Sequence, residues 1–84
     1  MNPIVQQMVN YKLNHLTIDE LLELSKKYNV TITRVQAQKV IQILQREKVD
    51  IANLKQRQRI LTTIGKETNP RLMKQIDMLL TQLL

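Results

Sequence analysis

The sequence predicts an all-α fold: a compact bundle of four or five short helices with capped ends and short loops, forming a single domain over residues 1–84. Three observations predict it. Apolar residues recur mostly at three- and four-residue spacing, the repeat of a helix with one buried face. One Gly and two Pro are too few breakers for a chain made of many turns. Helix-capping patterns recur along the chain and divide it into five segments.

Each segment follows from its caps. Asn2-Pro3 places a side-chain acceptor before a proline at the first helical position, where the missing N–H costs nothing. Ile4, Met8 and Tyr11, flanked by Val5 and Val9, mark one face of a first helix ending near Asn14. Thr17-Ile18-Asp19-Glu20 is a capping box, and Leu16 before it can staple onto Leu21. The second helix runs to about Tyr28, with acids in its first turn and Lys26 and Lys27 in its last, as the helix dipole favours. Asn29 suits a left-handed C-terminal position.

Thr33 with Gln36 repeats the box and opens a third helix. Its stripe is Ala37, Val40, Ile41 and Leu44, and it stops near Glu47 or Lys48. Asp50 or Asn53 caps a fourth helix, whose buried side is Leu54, Leu61 and Ile64 with Ile60 alongside and whose end lies near Gly65. Asn69-Pro70 opens a fifth helix that continues to the C-terminus. Val30–Ile32 and Val49–Ile51 flank helix three, which holds them about 20 Å apart, so they are extended linkers that plug the core rather than paired strands. The predicted core is Leu21, Leu24, Val40, Ile41, Leu44, Leu61, Ile64, Ile76 and Leu80.

Charge is unevenly placed. The chain carries +6, and residues 31–59 hold most of it: Arg34, Lys39, Arg46, Lys48, Lys55, Arg57 and Arg59 face only Glu47 and Asp50. Such a segment is either a solvated helix surface or an attraction for a nucleic-acid backbone or an acidic protein face. Arg34, Lys39, Lys55, Arg57 and Arg59 are the candidate contacts. Asp19–Ile41 also has the outline of a degenerate helix-turn-helix, with Thr33, Arg34, Gln36 and Gln38 opening the recognition helix. Its turn has Asn29 where glycine is usual, it is long, and Gln38 falls where an apolar residue belongs. With Tyr11 and Tyr28 as the only aromatics, base stacking lacks platforms.

Catalytic constellations are not evident. His15 is the only histidine and there is no cysteine, so one chain offers neither a multi-histidine metal site nor a thiol nucleophile. Gly65 alone cannot make a phosphate loop, and no segment has the alternating ligands of a calcium loop. No run approaches the ~20 apolar residues that span a bilayer, and Met1-Asn2-Pro3 does not begin a signal peptide. The expectation is a cytoplasmic, non-enzymatic protein with no cofactor, no metal, no membrane partner and no small-molecule substrate.

Helix five carries Leu72, Ile76, Leu79 and Leu83, doubled by Met73, Leu80 and Leu84. That stripe is wider than one neighbouring helix needs, so it is either central to the core or a surface for self-association.

The pattern Leu16-Thr17-Ile18-Asp19-Glu20-Leu21-Leu22, then Tyr28-Asn29-Val30-Thr31-Ile32-Thr33, Gln36-Ala37 and Val40-Ile41 continues through Val49-Asp50-Ile51 and Thr68-Asn69-Pro70. Over residues 10–84 it resembles the YqfT-like family of small uncharacterised proteins from Gram-positive bacteria. The chain departs from that pattern in having Ala52 and Leu83-Leu84 at places where the family suggests aromatics. The resemblance implies a small cytoplasmic helical protein and transfers no activity. The functional expectation is therefore a helical interaction module that binds a protein partner or a second copy of itself. The alternative is a nucleic-acid binder acting through its basic helical surface.

Overall fold

Five helices, α1 (Pro3–Asn14), α2 (Ile18–Lys27), α3 (Arg34–Leu44), α4 (Leu54–Glu67) and α5 (Pro70–Leu83), make up the computed structural model, which describes residues 2–83. Among the described residues there is no strand. Leu84, counted above with the helix-five stripe, lies outside them.

The caps form as their residue types dictate. The Asn2 side chain accepts the N–H of Ile4, and Pro3 follows at the first position of α1. Thr17 with Glu20, and Thr33 with Gln36, close reciprocal capping boxes. Asn53, rather than Asp50, caps α4 by accepting the Gln56 N–H. Asn69 accepts the N–H of Leu72 at the start of α5. Asn29 takes φ 58°, and the N–H groups of Val30 and Asn29 donate to the carbonyls of Ser25 and Lys26. That six-to-one and five-to-two pairing is a Schellman ending.

α2 packs on α3, α3 on α4, and α4 on α5, the last pair joined by a two-residue turn. Gly65 permits the close approach of that pair, because a Cβ there would lie 3.0 Å from Met73 Sδ and 3.4 Å from Met73 Cβ. The interior draws on every helix. Ala37 and Ile64 have no exposure and Val40 has 1%. Leu21, Ile41, Leu44, Leu61, Ile76 and Leu80 are buried as expected, whereas Leu24 is only partly covered at the margin. Val49 and Ile51 plug the core from their linker, with Ile32 packed against it from the other. The radius of gyration, 11.7 Å, agrees with the ~12 Å of a fully collapsed chain of this length.

Two expectations are corrected, the end of α3 and the burial of Leu54, and the structure orients the marked face of α1. α3 ends at Leu44, not near Glu47 or Lys48. Beyond it the chain must turn to bring Val49 inward, and the N–H and C=O of Val49 are taken by the Asn14 side chain instead of by a helix. Leu54 is exposed, because it starts α4 two turns before Leu61, where Val49 and Ile51 already fill the end of the core. The face of α1 marked by Ile4, Met8 and Tyr11 points to solvent, with 68%, 67% and 68% of each exposed, while Val9 and Leu13 are buried and Val5 packs beside them.

Candidate interaction surfaces

At about 100° per residue, α1 presents three distinct faces. The inner one is Val5, Val9 and Leu13. The second is a row of amides, Gln6, Asn10 and Asn14, that grips the linker between α3 and α4. Asn14 donates to the Val49 carbonyl at 2.9 Å and accepts the Val49 N–H at 2.7 Å. Asn10 accepts the Ile51 N–H at 2.8 Å and donates to Asp50 Oδ1 at 3.1 Å, with Gln6 on the same carboxylate. Asp50 also accepts the Ala52 N–H, and that bond, followed by the one from Asn10, holds its carboxyl below the ordinary value. The amides act as a short strand partner built from side chains, satisfying backbone groups that no sheet is present to satisfy.

The third face is the outward one. Ile4, Met8, Tyr11 and His15 succeed one another at spacings of four, three and four residues, the repeat of a helix-pairing seam. The Tyr11 and His15 rings stack with centroids 4.2 Å apart and planes at 24°, and His15 Nδ1 lies 2.8 Å from the Tyr11 carbonyl oxygen. A shallow groove of about 610 Å³ runs along this face, bounded by Lys12 and Glu20. Those two charges lie 3.5 Å apart and largely neutralise one another. Three large apolar side chains, each two-thirds exposed on one helix face, are more than scattered surface hydrophobics supply. The signal was in the sequence, but the four-three spacing that marks a buried stripe marks an outward seam equally well.

The basic segment is mostly committed to partners within the chain. Arg34 lies 3.0 Å from Asp19, Lys39 is 3.7 Å from Glu67, and Arg57 is 3.0 Å from Asp77. Arg57 also donates to Thr81, and its side chain keeps only 16% exposure. Arg59 binds both carboxylate oxygens of Glu47, one of them at 2.7 Å. The Arg59 bonds, helped by one from Gln56, pull the Glu47 carboxyl down to about 2 and raise Arg59 above its usual range. Arg46 makes a two-pronged contact with Glu67 at 2.7 and 2.9 Å, which lowers that carboxyl and raises the arginine. Of the five candidate contacts, Lys55 alone has no acidic partner among the described residues. The basic residues therefore cross-brace the helices more than they form one open patch.

The helix-turn-helix outline fares no better in geometry. Six residues separate α2 from α3, against the three or four of a tight turn. Thr33 and Gln36 spend their side chains on the capping box and Arg34 is tied to Asp19, which leaves Gln38 as the exposed, uncommitted member of the four.

Of the two readings of the helix-five stripe, burial favours the core. Leu72, Ile76 and Leu79 have 2%, 5% and 3% exposure, and Leu83 is half-buried against the core. The stripe of α5 is covered within the chain, by α4 and the shared core cluster. Among the described residues no three His, Cys, Asp or Glu side chains gather to hold a metal, and no helix is long and apolar enough to cross a membrane.

Residues 1–84 match a family described as "Protein of unknown function (DUF2624)". The uncharacterized protein YqfT of Bacillus subtilis (strain 168) is 38% identical over 69 residues, which cover 77% of this chain and 82% of that protein. No solved structure matches.

Proposed function

This chain belongs to the DUF2624 family, and we propose that it is a cytoplasmic, non-catalytic interaction module whose docking surface is the outward face of α1. The observation that carries the reading is the exposure of Ile4, Met8 and Tyr11 together on one helix face. The stacking of His15 on Tyr11 supports it, because an aromatic already held in place loses little freedom when it enters a pocket on a partner. An apolar helix face of this kind suits a helix or groove of matching apolar character.

The test compares proteins captured from a lysate of the source cell by the wild type and by Met8→Lys. Met8 is exposed, so the variant retains the fold, which circular dichroism verifies. Species lost with the variant support the reading, and identical capture by both forms defeats it. The second reading, contact with nucleic-acid phosphates, is favoured by the exposed Lys55 and Lys66 on α4 and Arg71 and Lys74 on α5, which have no acidic partner among the described residues. Titration with duplex DNA at two salt concentrations isolates that reading, since phosphate-driven binding weakens steeply as salt rises. Absence of binding at low salt removes it.

A further inference from the structure

We infer that the outer face of the α4–α5 hairpin is a binding surface for the phosphate backbone of duplex DNA, held by Lys55, Lys66, Arg71 and Lys74 without regard to base sequence. The inference rests on the second reading above, contact with nucleic-acid phosphates, and names the polymer and the surface that meets it.

Helix geometry collects these cations. Ile60, Leu61 and Ile64 of α4 and Leu72, Ile76 and Leu79 of α5 are buried in one core. Gly65 against Met73, and Arg57 against Asp77 and Thr81, mark the sides that the two helices turn toward each other. At about 100° per residue, Lys55, Thr62 and Lys66 lie opposite the buried stripe of α4, and Arg71, Lys74 and Met78 lie opposite that of α5. All of them are exposed. Both stripes face the same core, so the two opposite faces form one continuous outer surface.

Charge on that surface has one sign. Glu67 and Asp77 are the only acids of the two helices, and each is bound within the chain, Glu67 to Lys39 and Arg46, Asp77 to Arg57. Lys55, Lys66, Arg71 and Lys74 have no acidic partner among the described residues. They are distinct from the cations that brace the helices to one another. Folding does not account for two of them. α2 opens with Asp19 and Glu20, as its dipole favours. α4 and α5 open without an acid and carry Lys55 and Arg71 in the first turn, where a cation opposes the dipole. Anionic groups of a partner offset that cost.

The remaining residues of the face select the kind of polyanion. Gln58, Thr62 and Gln82, also exposed, are neutral donors of the kind that bind phosphate and sugar oxygens. An anionic membrane takes up an apolar face, and Met78 is the one large apolar side chain set opposite the buried stripes. An acidic protein pairs with an interface centre rich in aromatics and poor in lysine, the reverse of this surface. Single strands bind by stacking on aromatics, and the two tyrosines lie on α1 and at the end of α2. Lys55 and Lys66 stand about 16 Å apart along α4. With side-chain reach, that span joins the phosphate rows bordering the major groove of B-form DNA, about 12 Å wide. The groove admits one helix and a packed pair is too broad to enter it, so the hairpin rests on the backbone and reads no bases. In A-form RNA the major groove is narrow, a poorer match to the span.

Fluorescence anisotropy of a labelled duplex of about 20 base pairs, titrated with the full chain at about 50 and about 200 mM salt, tests this. Four phosphate contacts predict that affinity falls about a hundredfold between those concentrations, and equally for two duplexes of unrelated sequence. Lys66→Gln/Lys74→Gln changes exposed positions and keeps the fold, which a thermal melt verifies. It should bind at least about tenfold more weakly at the lower salt and lose only about tenfold across the range. Lys26→Gln/Lys27→Gln removes the same charge from the end of α2 and should match the wild type within about threefold.

No binding at the lower salt overturns the inference together with the reading beneath it. Binding weakened as much by Lys26→Gln/Lys27→Gln as by Lys66→Gln/Lys74→Gln overturns this face and leaves phosphate contact standing, so the two failures are distinguishable. Tighter binding to duplex RNA, to single strands or to phosphatidylglycerol vesicles at equal salt overturns duplex DNA as the occupant.

Discussion

α1 and α5 carry apolar stripes of similar look and meet opposite fates. On α5, Leu72, Ile76 and Leu79 disappear into the core, because α4 lies along the helix and the stripe joins the one shared apolar cluster. On α1, Ile4, Met8 and Tyr11 stay in solvent, while a second and narrower stripe of Val5, Val9 and Leu13 makes the inward contact. The difference teaches that the breadth of a stripe says a helix has apolar surface to cover, not whether the chain itself covers it. What turns α1 outward is the amide row. Asn10 and Asn14 must face the linker to satisfy Val49 and Ile51, and that requirement sets the rotation of the helix about its own axis.

The largest effect that sharpens this contrast is in the core. Leu72→Ala is expected to cost about 2–5 kcal/mol, because it opens a cavity in a site with almost no exposure. Met8→Ala should stay within about 0.5 kcal/mol at concentrations where the chain is monomeric. Urea denaturation of the two variants side by side checks both. Comparable losses would mean that the outer face of α1 is covered within the chain, which erases the distinction.

A smaller effect belongs to the clamp. Asn14→Ala removes the partner of both the N–H and the C=O of Val49. The site is partly buried, and leaving such groups unpaired costs about 2 kcal/mol. Amide exchange at Val49 should accelerate well beyond the change caused by the loss of global stability, since the linker is released first. Uniform acceleration across the chain would instead show that Asn14 acts on stability alone.

The smallest effect separates the ion-paired half from α1. Folding depresses the Glu47 carboxyl from an ordinary 4.5 to about 2, and lowers Glu67 and Asp50 as well. A carboxyl depressed by folding contributes stability that is complete above its unfolded value and is lost as pH falls through its folded value. Stability should therefore decline between about pH 4.5 and pH 2, and Glu47→Gln should flatten part of that decline. These carboxylates keep partial contact with solvent, so the effect shrinks with salt. Thermal melts at several pH values, with and without salt, measure it; a flat profile for the wild type would contradict the pairing of Glu47 with Arg59.

Much of this fold was legible in the sequence because its signals are local. A threonine three residues before Glu20 or Gln36, and an asparagine before Pro3 or Pro70, act within one turn of the chain and need no knowledge of what packs above them. Asn29 reached its left-handed conformation for the same reason. The buried stripe of α3 was equally plain, since that helix has one apolar face and neighbours on both sides in the order of packing. The docking face was harder to read. Ile4, Met8 and Tyr11 have the spacing of core residues, and two apolar stripes on one helix compete for the same interior. The one hint was the pair Asn10 and Asn14, poor helix formers four residues apart whose place mid-helix needs a hydrogen-bonding reason.

The all-α class, most of the caps, the membership of most of the core and the surplus of positive charge were thus determined by the sequence alone, each through interactions that span a few residues or none. Tertiary structure decided which α1 stripe turned inward, where α3 had to stop, and which acid each arginine meets, as Arg59 meets Glu47 and Arg57 meets Asp77. Those outcomes depend on groups 12 to 41 residues apart, and such pairs are brought together by the packing of whole helices, which no local pattern encodes.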